Sequence, residues 1–384
     1  MKVFFSSIGR FFRDADIILL ALTLVCTVLG ILLINSIVRN TDGNELQVQI
    51  GALVIGLILF ILFSYVDIDI IADKSIFLMI FSIGLISTLY LWGEGDELGN
   101  RAWLRFLGIG IQPAEIVKVP FIIIIAKMIA TFKERRKLNN FLSLLQLFAV
   151  FGVLLGLILE ISADLGSSLV YIFIFGVMLF IGGVKFRWFL LGGAAVAAAF
   201  PFLWENFLTG RQRARILAPY AQFFPDALSP ELYAEFTWQV NRSVSAISSG
   251  SFFGVGLGNG HYTQRPGAIF AHHTDFIFAA VGEELGFFGG VFVVILLASI
   301  IVRCIYVGAK SNNSLGLLVC SGIAAMLIAH SIVNIGMALG LMPVIGIGLP
   351  FFSYGGSAIV TCMAAMGIVS GIKMRPKPVR FRSL

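Results

Sequence analysis

Residues 17–37, IILLALTLVCTVLGILLINSI, run for 21 positions without a charge. At 1.5 Å per residue a helix of that length covers about 30 Å, the thickness of a bilayer's hydrocarbon core. The run follows Lys2, Arg10 and Arg13, but it is too long for a signal-peptide core and has no clear cleavage site. It reads as a first transmembrane helix that is kept. Similar runs recur at about 47–66, 75–92, 113–132, 141–160, 164–183, 188–205, 275–302, 314–339 and 353–372. In lipid only helices satisfy the backbone over such lengths, so the sequence predicts an all-α bundle of about ten transmembrane helices.

Composition agrees. The 384 residues are 58% hydrophobic and 12% charged, with a mean hydropathy of +0.96; a soluble domain carries roughly a quarter charged residues. No linker divides the chain, so residues 1–384 read as one membrane domain. Its longest connection, about 206–273 between helices 7 and 8, is rich in aromatic residues, arginines and glycine turns and is expected to be ordered. Within it, Phe236–Ser249 reads as an amphipathic helix at the interface. The four cysteines lie in or beside apolar runs without metal or disulfide spacing and read as small buried hydrophobes.

Ten spans put both termini on one side, and the positive-inside rule makes that side cytoplasmic. The inner segments then hold 17 of the 27 cations. The eight outer ones are Arg39, Arg101, Arg105, Arg211, Arg213, Arg215, Arg242 and Arg265, with no lysine among them. Arginine's planar fork binds carboxylate or phosphate oxygens in pairs, which suits an outward anion site as well as ordinary surface solvation.

Charges inside spans are costly and therefore informative. Gln112, Glu115 and Lys118 follow at intervals of three on one face of the fourth span, where Glu115 and Lys118 can pair. Lys127 faces the other way and is expected to snorkel to the cytoplasmic interface. Asp164, in Ser162-Ala163-Asp164-Leu165-Gly166, opens the sixth span and can cap it or serve a site. His272-His273-Thr274-Asp275-Phe276-Ile277-Phe278 leads into the eighth span and is followed by Glu283-Glu284-Leu285-Gly286. Adjacent histidines point different ways on a helix and make poor joint ligands, so no metal site is assigned. Pro343 to Pro350 breaks the helix before Phe351-Phe352-Ser353-Tyr354-Gly355-Gly356-Ser357, and Asn334 can satisfy the backbone groups this frees. There is no P-loop, dinucleotide fingerprint, GxSxG elbow or HExxH, and nothing points to a nucleic-acid partner.

Three of these stretches, in order, resemble the SEDS family (shape, elongation, division, sporulation; RodA, FtsW and SpoVE). They are Gly99-Asn100-Arg101-Ala102-Trp103-Leu104 with Gln112-Pro113-Ala114-Glu115-Ile116-Val117-Lys118, then His273-Thr274-Asp275-Phe276 with Glu283-Glu284-Leu285-Gly286, and then Leu349-Pro350-Phe351-Phe352-Ser353-Tyr354-Gly355-Gly356-Ser357. The resemblance covers nearly the whole chain. It implies a peptidoglycan glycosyltransferase of the bacterial cytoplasmic membrane that polymerises lipid II on the outer face, in a RodA-like role in elongation and cell shape. An FtsW-like division polymerase and a lipid II flippase are the alternatives. It implies Asp275 as the catalytic carboxylate and functional roles for Glu115, Lys118, Asp164, Thr274, Ser353 and Ser357. Arg101, Arg105 and Arg215, with Lys118, are the candidates for the pyrophosphate, and a divalent cation (Mg or Mn) near Asp275 is an option. The implied partners are a class B penicillin-binding protein, elongasome proteins and membrane lipids. Trp238-Gln239-Val240-Asn241-Arg242-Ser243 stands where the family often has YQ..QS, which brings in Gln239 and Ser243. The chain departs from the family in lacking Gln-Pro before Asp164, in having Val255 in place of a frequent lysine, and in a longer stretch between Arg215 and Trp238.

Overall fold

A computed structural model describes residues 13–39, 43–95, 101–106, 109–206, 208–223, 229–264, 273–311 and 313–375. Lys2, Arg10, Gly99, Asn100, Arg265 and His272, named in the sequence reading, lie outside the described residues, as do the cations after Arg375.

The helices follow the apolar runs closely. They are α1 (Ile17–Ile37), α2 (Glu45–Tyr65), the short α3 (Ile68–Asp73), α4 (Ser75–Trp92), α5 (Pro113–Glu134), α6 (Phe141–Ser162), α7 (Leu165–Gly182), α8 (Phe186–Asn206), α9 (Gly210–Leu217), α10 (Pro230–Ser249), α11 (Ile277–Lys310), α12 (Ser314–Ala338) and α13 (Gly356–Met374). Among the described residues nine are long and apolar enough to cross a membrane. The tenth crossing is α5, equally long but carrying Glu115, Lys118, Lys127, Lys133 and Glu134. The all-α expectation has one small exception. Strands β1 (Leu104–Phe106) and β2 (Ile109–Ile111) pair antiparallel between α4 and α5, with Arg105 opposite Gly110.

The core gathers around α12 and α13, each 78% buried over its most apolar stretch, while among its described residues α8 has none buried. Helices cannot be driven together by hydrophobicity in lipid, so close packing must do it. On α13, a Cβ at Gly367 would stand 2.5 Å from Phe60 O on α2, and one at Gly371 would stand 2.9 Å from Phe63 O. Only glycine lets these two backbones meet.

Alternation of the spans puts the N-terminus of α1 at the end of the bundle away from Asp275. There the charges neutralise one another. Buried Asp16 caps α1 through Leu19 N and binds Arg303 (2.8 Å) and Lys373 (3.6 Å), tying α1 to α11 and α13. Arg375 bridges Asp67 and Asp69. Lys127 reaches this end too, its ammonium 2.6 Å from the exposed Asp73 at the end of α3.

The expected amphipathic helix begins earlier than Phe236, at Pro230, where Ser229 caps it through Leu232 N and proline occupies the first turn.

Candidate active site

Residues 341–355 form the irregular segment between α12 and α13, and the three motifs meet around it. Non-helical backbone inside a membrane protein needs side-chain partners. Asn334 supplies two, donating from Nδ2 to Ile347 O (2.7 Å) and to Asp275 O (2.8 Å). Ser353 Oγ donates to Thr274 O (2.6 Å) and accepts from Leu349 N (2.7 Å). Tyr354 N donates to His273 O (2.8 Å), and the two rings are 5.6 Å apart. Gln49 on α2 holds the same turn through Ser353 O (3.1 Å) and Gly355 N (3.2 Å). The backbone of 273–275 is therefore fixed from two sides.

Asp275 precedes the first turn of α11 but does not cap it, since the cap position falls on Phe276, which makes no side-chain cap bond. Its carboxylate faces the irregular segment instead. Gly346 has a φ of +73°, and a Cβ there would stand 3.5 Å from Asp275 Oδ2. Glycine adopts this conformation freely and leaves room beside the acid. Burial pushes the Asp275 carboxyl up from its ordinary 3.8 to about 6, with the charge of Asp164 acting in the same direction. Arg215 and a hydrogen bond from Thr274 pull the other way without cancelling it. A carboxylate tuned near the working pH is suited to accept a proton.

Asp164 does both things its position allowed. It caps α7 through Ser167 N (2.9 Å) and Ser167 Oγ (2.7 Å), and it accepts from Gln112 Nε2 (2.9 Å). The adjoining Gly166 packs against the irregular segment, where a Cβ would lie 2.5 Å from Ile345 O. Gln112 N in turn donates to Ser357 Oγ (3.3 Å). Ala163, ending a π turn over Ile158–Ser162, sits at φ +48°, an uncommon region for alanine, and this sharp turn aims Asp164 at Gln112.

Glu115 and Lys118 pair within α5 as their spacing predicts. Lys118 is fully buried, with its second contact to His330 Nε2 (2.8 Å) on α12, so its charge is directed inward rather than toward an outer anion. Of the three candidate arginines, Arg215 is the one whose charge acts on Asp275. It also lines a cavity of about 240 Å³ with Tyr233, Thr237 and Asn241 of α10 and Leu339, Gly340 and Val344. Arg101 and Arg105 are exposed near the β hairpin, and Arg105 pairs with Glu94 (3.6 Å). On α10, Gln239 is partly buried, and Ser243 is buried and donates to Ala338 O (2.7 Å), a tie to the end of α12. Among the described residues no group of three or more His, Cys, Asp or Glu is placed to hold a metal ion. A cation at Asp275 would find Asp164, whose charge acts on Asp275, as its second carboxylate.

Glu283 and Glu284 are buried and act as staples. Glu283 accepts from Tyr262 N (2.8 Å) and Thr263 N (2.9 Å); Glu284 accepts from Ser36 Oγ (2.6 Å) and Thr263 Oγ1 (3.0 Å). They fasten the glycine-rich stretch of the long connection to α1 and α11. Sequence reasoning missed His330 and Gln49. Each is a lone polar side chain within an apolar span, and that was the available signal.

The family model described as cell cycle protein, covering FtsW, RodA and SpoVE, matches residues 16–377. The chain is 32% identical over 335 residues to the probable peptidoglycan glycosyltransferase FtsW of Bacillus subtilis, covering 85% of this chain and 80% of that one. It is 28% identical over 359 residues to the peptidoglycan glycosyltransferase MrdB of Escherichia coli, covering 92% and 94%. Among solved structures, it resembles a chain of a peptidoglycan synthase complex that coordinates polymerisation and crosslinking (TM-score 0.76, 26% identity, 94% and 97% covered). It also resembles the rod shape determining protein RodA of Thermus thermophilus (TM-score 0.67, 25% identity, 94% and 96% covered).

Proposed function

This chain belongs to the FtsW/RodA/SpoVE family of cell cycle proteins, and from that membership and the geometry around Asp275 we propose that it is a peptidoglycan glycosyltransferase that polymerises lipid II. The observation that carries the reading is the Asp275 carboxylate: partly buried, titrating near 6, and set in the meeting point of the three motifs.

In the proposed reaction the 4-hydroxyl of the acceptor sugar gives its proton to Asp275 as its oxygen attacks the anomeric carbon of the donor. The bond from that carbon to the lipid pyrophosphate breaks, and its electron pair leaves with the phosphate oxygen. An α-linked donor and a β-1,4 product require one inverting displacement and no covalent intermediate. Arg215 is the cation placed to favour ionised Asp275 and to meet negative charge on the leaving group. Arg101 and Arg105 can meet more distant phosphate oxygens as substrate approaches.

The cation bias supports cytoplasmic termini, which puts Asp275 on the extracytoplasmic face. The likeness to a synthase-complex chain supports a crosslinking partner of the class B penicillin-binding type. For the cellular role we favour elongation and shape, supported by the fold likeness to RodA; complementation of elongation-defective cells, but not division-defective ones, is the expected result. The central experiment is polymerisation of lipid II by purified protein in nanodiscs. Wild-type protein makes glycan strands, and Asp275→Asn makes none while folding normally. Wild-type rates from the variant would reject the assignment. Supplying the lipid on the accessible face also separates polymerase from flippase, since a flippase alone makes no polymer.

A further inference from the structure

Two side chains one turn apart on α12 hold two consecutive carbonyls of the irregular segment. Asn334 Nδ2 donates to Ile347 O, and His330 Nδ1 lies 3.1 Å from Gly348 O. The other ring nitrogen, Nε2, lies 2.8 Å from Lys118 Nζ, and that ammonium also contacts the Glu115 carboxylate. An ammonium has three donors and no acceptor, so His330 Nε2 accepts. The ring proton then belongs on Nδ1, which is the nitrogen facing Gly348 O. A neutral imidazole with one tautomer satisfies both contacts, and no other protonation state does.

The line from Glu115 through Lys118 and His330 to Gly348 O crosses from α5 to the segment beside the site. It ends two residues from Gly346, where an added Cβ would stand 3.5 Å from Asp275 Oδ2. We propose that His330 is a positioning residue for Asp275: it transmits the buried Glu115–Lys118 pair to the Gly348 carbonyl and so sets the Gly346 backbone against the carboxylate. This rests on Asp275 being the base. A histidine that merely filled space would need neither nitrogen placed. Here removing the ring strands a donor of the buried Lys118 ammonium and the half-buried Gly348 carbonyl together. The helices on either side are held by their own hydrogen bonds, so the irregular segment is the part that moves.

The test uses the full chain in nanodiscs with ring-¹⁵N histidine. The chain has four histidines, and the His330 signals are those lost in H330Q. The expected spectrum has a protonated Nδ1 and an unprotonated Nε2. An Nε2–H tautomer or an imidazolium overturns the proposal. In the lipid II assay H330Q, whose carboxamide can accept from Lys118 and donate to Gly348 O, keeps kcat within about threefold, whereas H330L loses about tenfold or more, the effect of one charge-assisted hydrogen bond, at little-changed KM. Wild-type kcat in H330L, or an H330Q protein that folds but is as inactive as D275N, overturns it. Should H330L fail to fold, H330Q and the ring nitrogens decide. Absence of polymerisation by wild-type protein would instead reject the catalytic reading, and the tautomer would still report on the Lys118–His330 link.

Discussion

Replacing Asp275 by asparagine tests a cost that the site imposes on the fold. The carboxyl titrates at about 6 in the folded protein against 3.8 ordinarily. Each unit is worth about 1.4 kcal/mol, so the shift amounts to about 3 kcal/mol between the two protonation states. The sign follows from linkage. A folded pKa above the unfolded one means folding favours the protonated acid. That contribution is present in full below pH 3.8 and is lost as pH rises through about 6. At pH 7.5 ionised Asp275 therefore destabilises the protein relative to a neutral isostere. Asparagine has nearly the same shape and no charge to bury. Asp275→Asn should accordingly be inactive yet more stable by up to about 3 kcal/mol at pH 7.5, with the gain shrinking toward zero near pH 4. Reversible unfolding of both proteins in one detergent, at a series of pH values, measures the difference. A variant no more stable than wild type at pH 7.5, or a gain that does not change with pH, would refute the reasoning that burial holds this carboxyl up.

Other outcomes follow from the same contacts. Polymerisation by wild-type protein should fall about tenfold per pH unit on the acid side of about 6, as the base becomes protonated; Arg215→Leu should move that limb to higher pH, because Arg215 favours the charged form. A pH–rate profile of both proteins checks this pair. Ser353→Ala removes the donor to Thr274 O and the acceptor of Leu349 N, and should cost about 1–3 kcal/mol of stability by detergent unfolding. Gly346→Ala places a methyl at φ +73° beside Asp275 Oδ2; the variant should insert normally, lose about 1 kcal/mol or more of stability and lose activity out of proportion, as read by kcat.

The spans were legible because bilayer thickness and helical rise together dictate a run of about 20 apolar residues, and few soluble elements imitate that. The break before α13 was legible from Pro343, Pro350 and the glycines between them, and Asn334 from its place one span earlier. The rest depended on which helices touch. Nothing in the sequence says that Lys118 on α5 meets His330 on α12, because that contact joins residues 212 positions apart. The same holds for Gln112 with Asp164 and for Gln49 with the Ser353 turn. The partner of Lys127, Asp73, was not legible because it belongs to the short α3, which the apolar runs do not mark. Glu283 and Glu284 stood in the motif without an assigned partner, and the Tyr262 and Thr263 amides that Glu283 accepts from, like the Ser36 and Thr263 hydroxyls that Glu284 accepts from, could only be found in three dimensions.

Placement of the polar groups explains why the carboxylate can be held so near neutrality. An acid on a mobile outer loop would be hydrated and would titrate in its ordinary range. Here the backbone on either side of Asp275 is tied to the bundle interior, through Thr274 O to Ser353 and through Asp275 O to Asn334. Both ties use main-chain oxygens and leave the carboxylate to its hydrogen bond from Thr274. Gly346 adds no side chain beside the acid and so supplies no neutralising charge there. Asp164 adds repulsion while its own oxygens are engaged by Ser167 and Gln112. The one opposing cation, Arg215, comes from α9 in the long connection rather than from a membrane-spanning helix. The spans thus set the basicity of Asp275, and the connection moderates it. In the proposed reaction, any event that moves α9 away, including pyrophosphate drawing Arg215 toward itself, would raise the proton affinity of Asp275 at the moment it is to accept the hydroxyl proton.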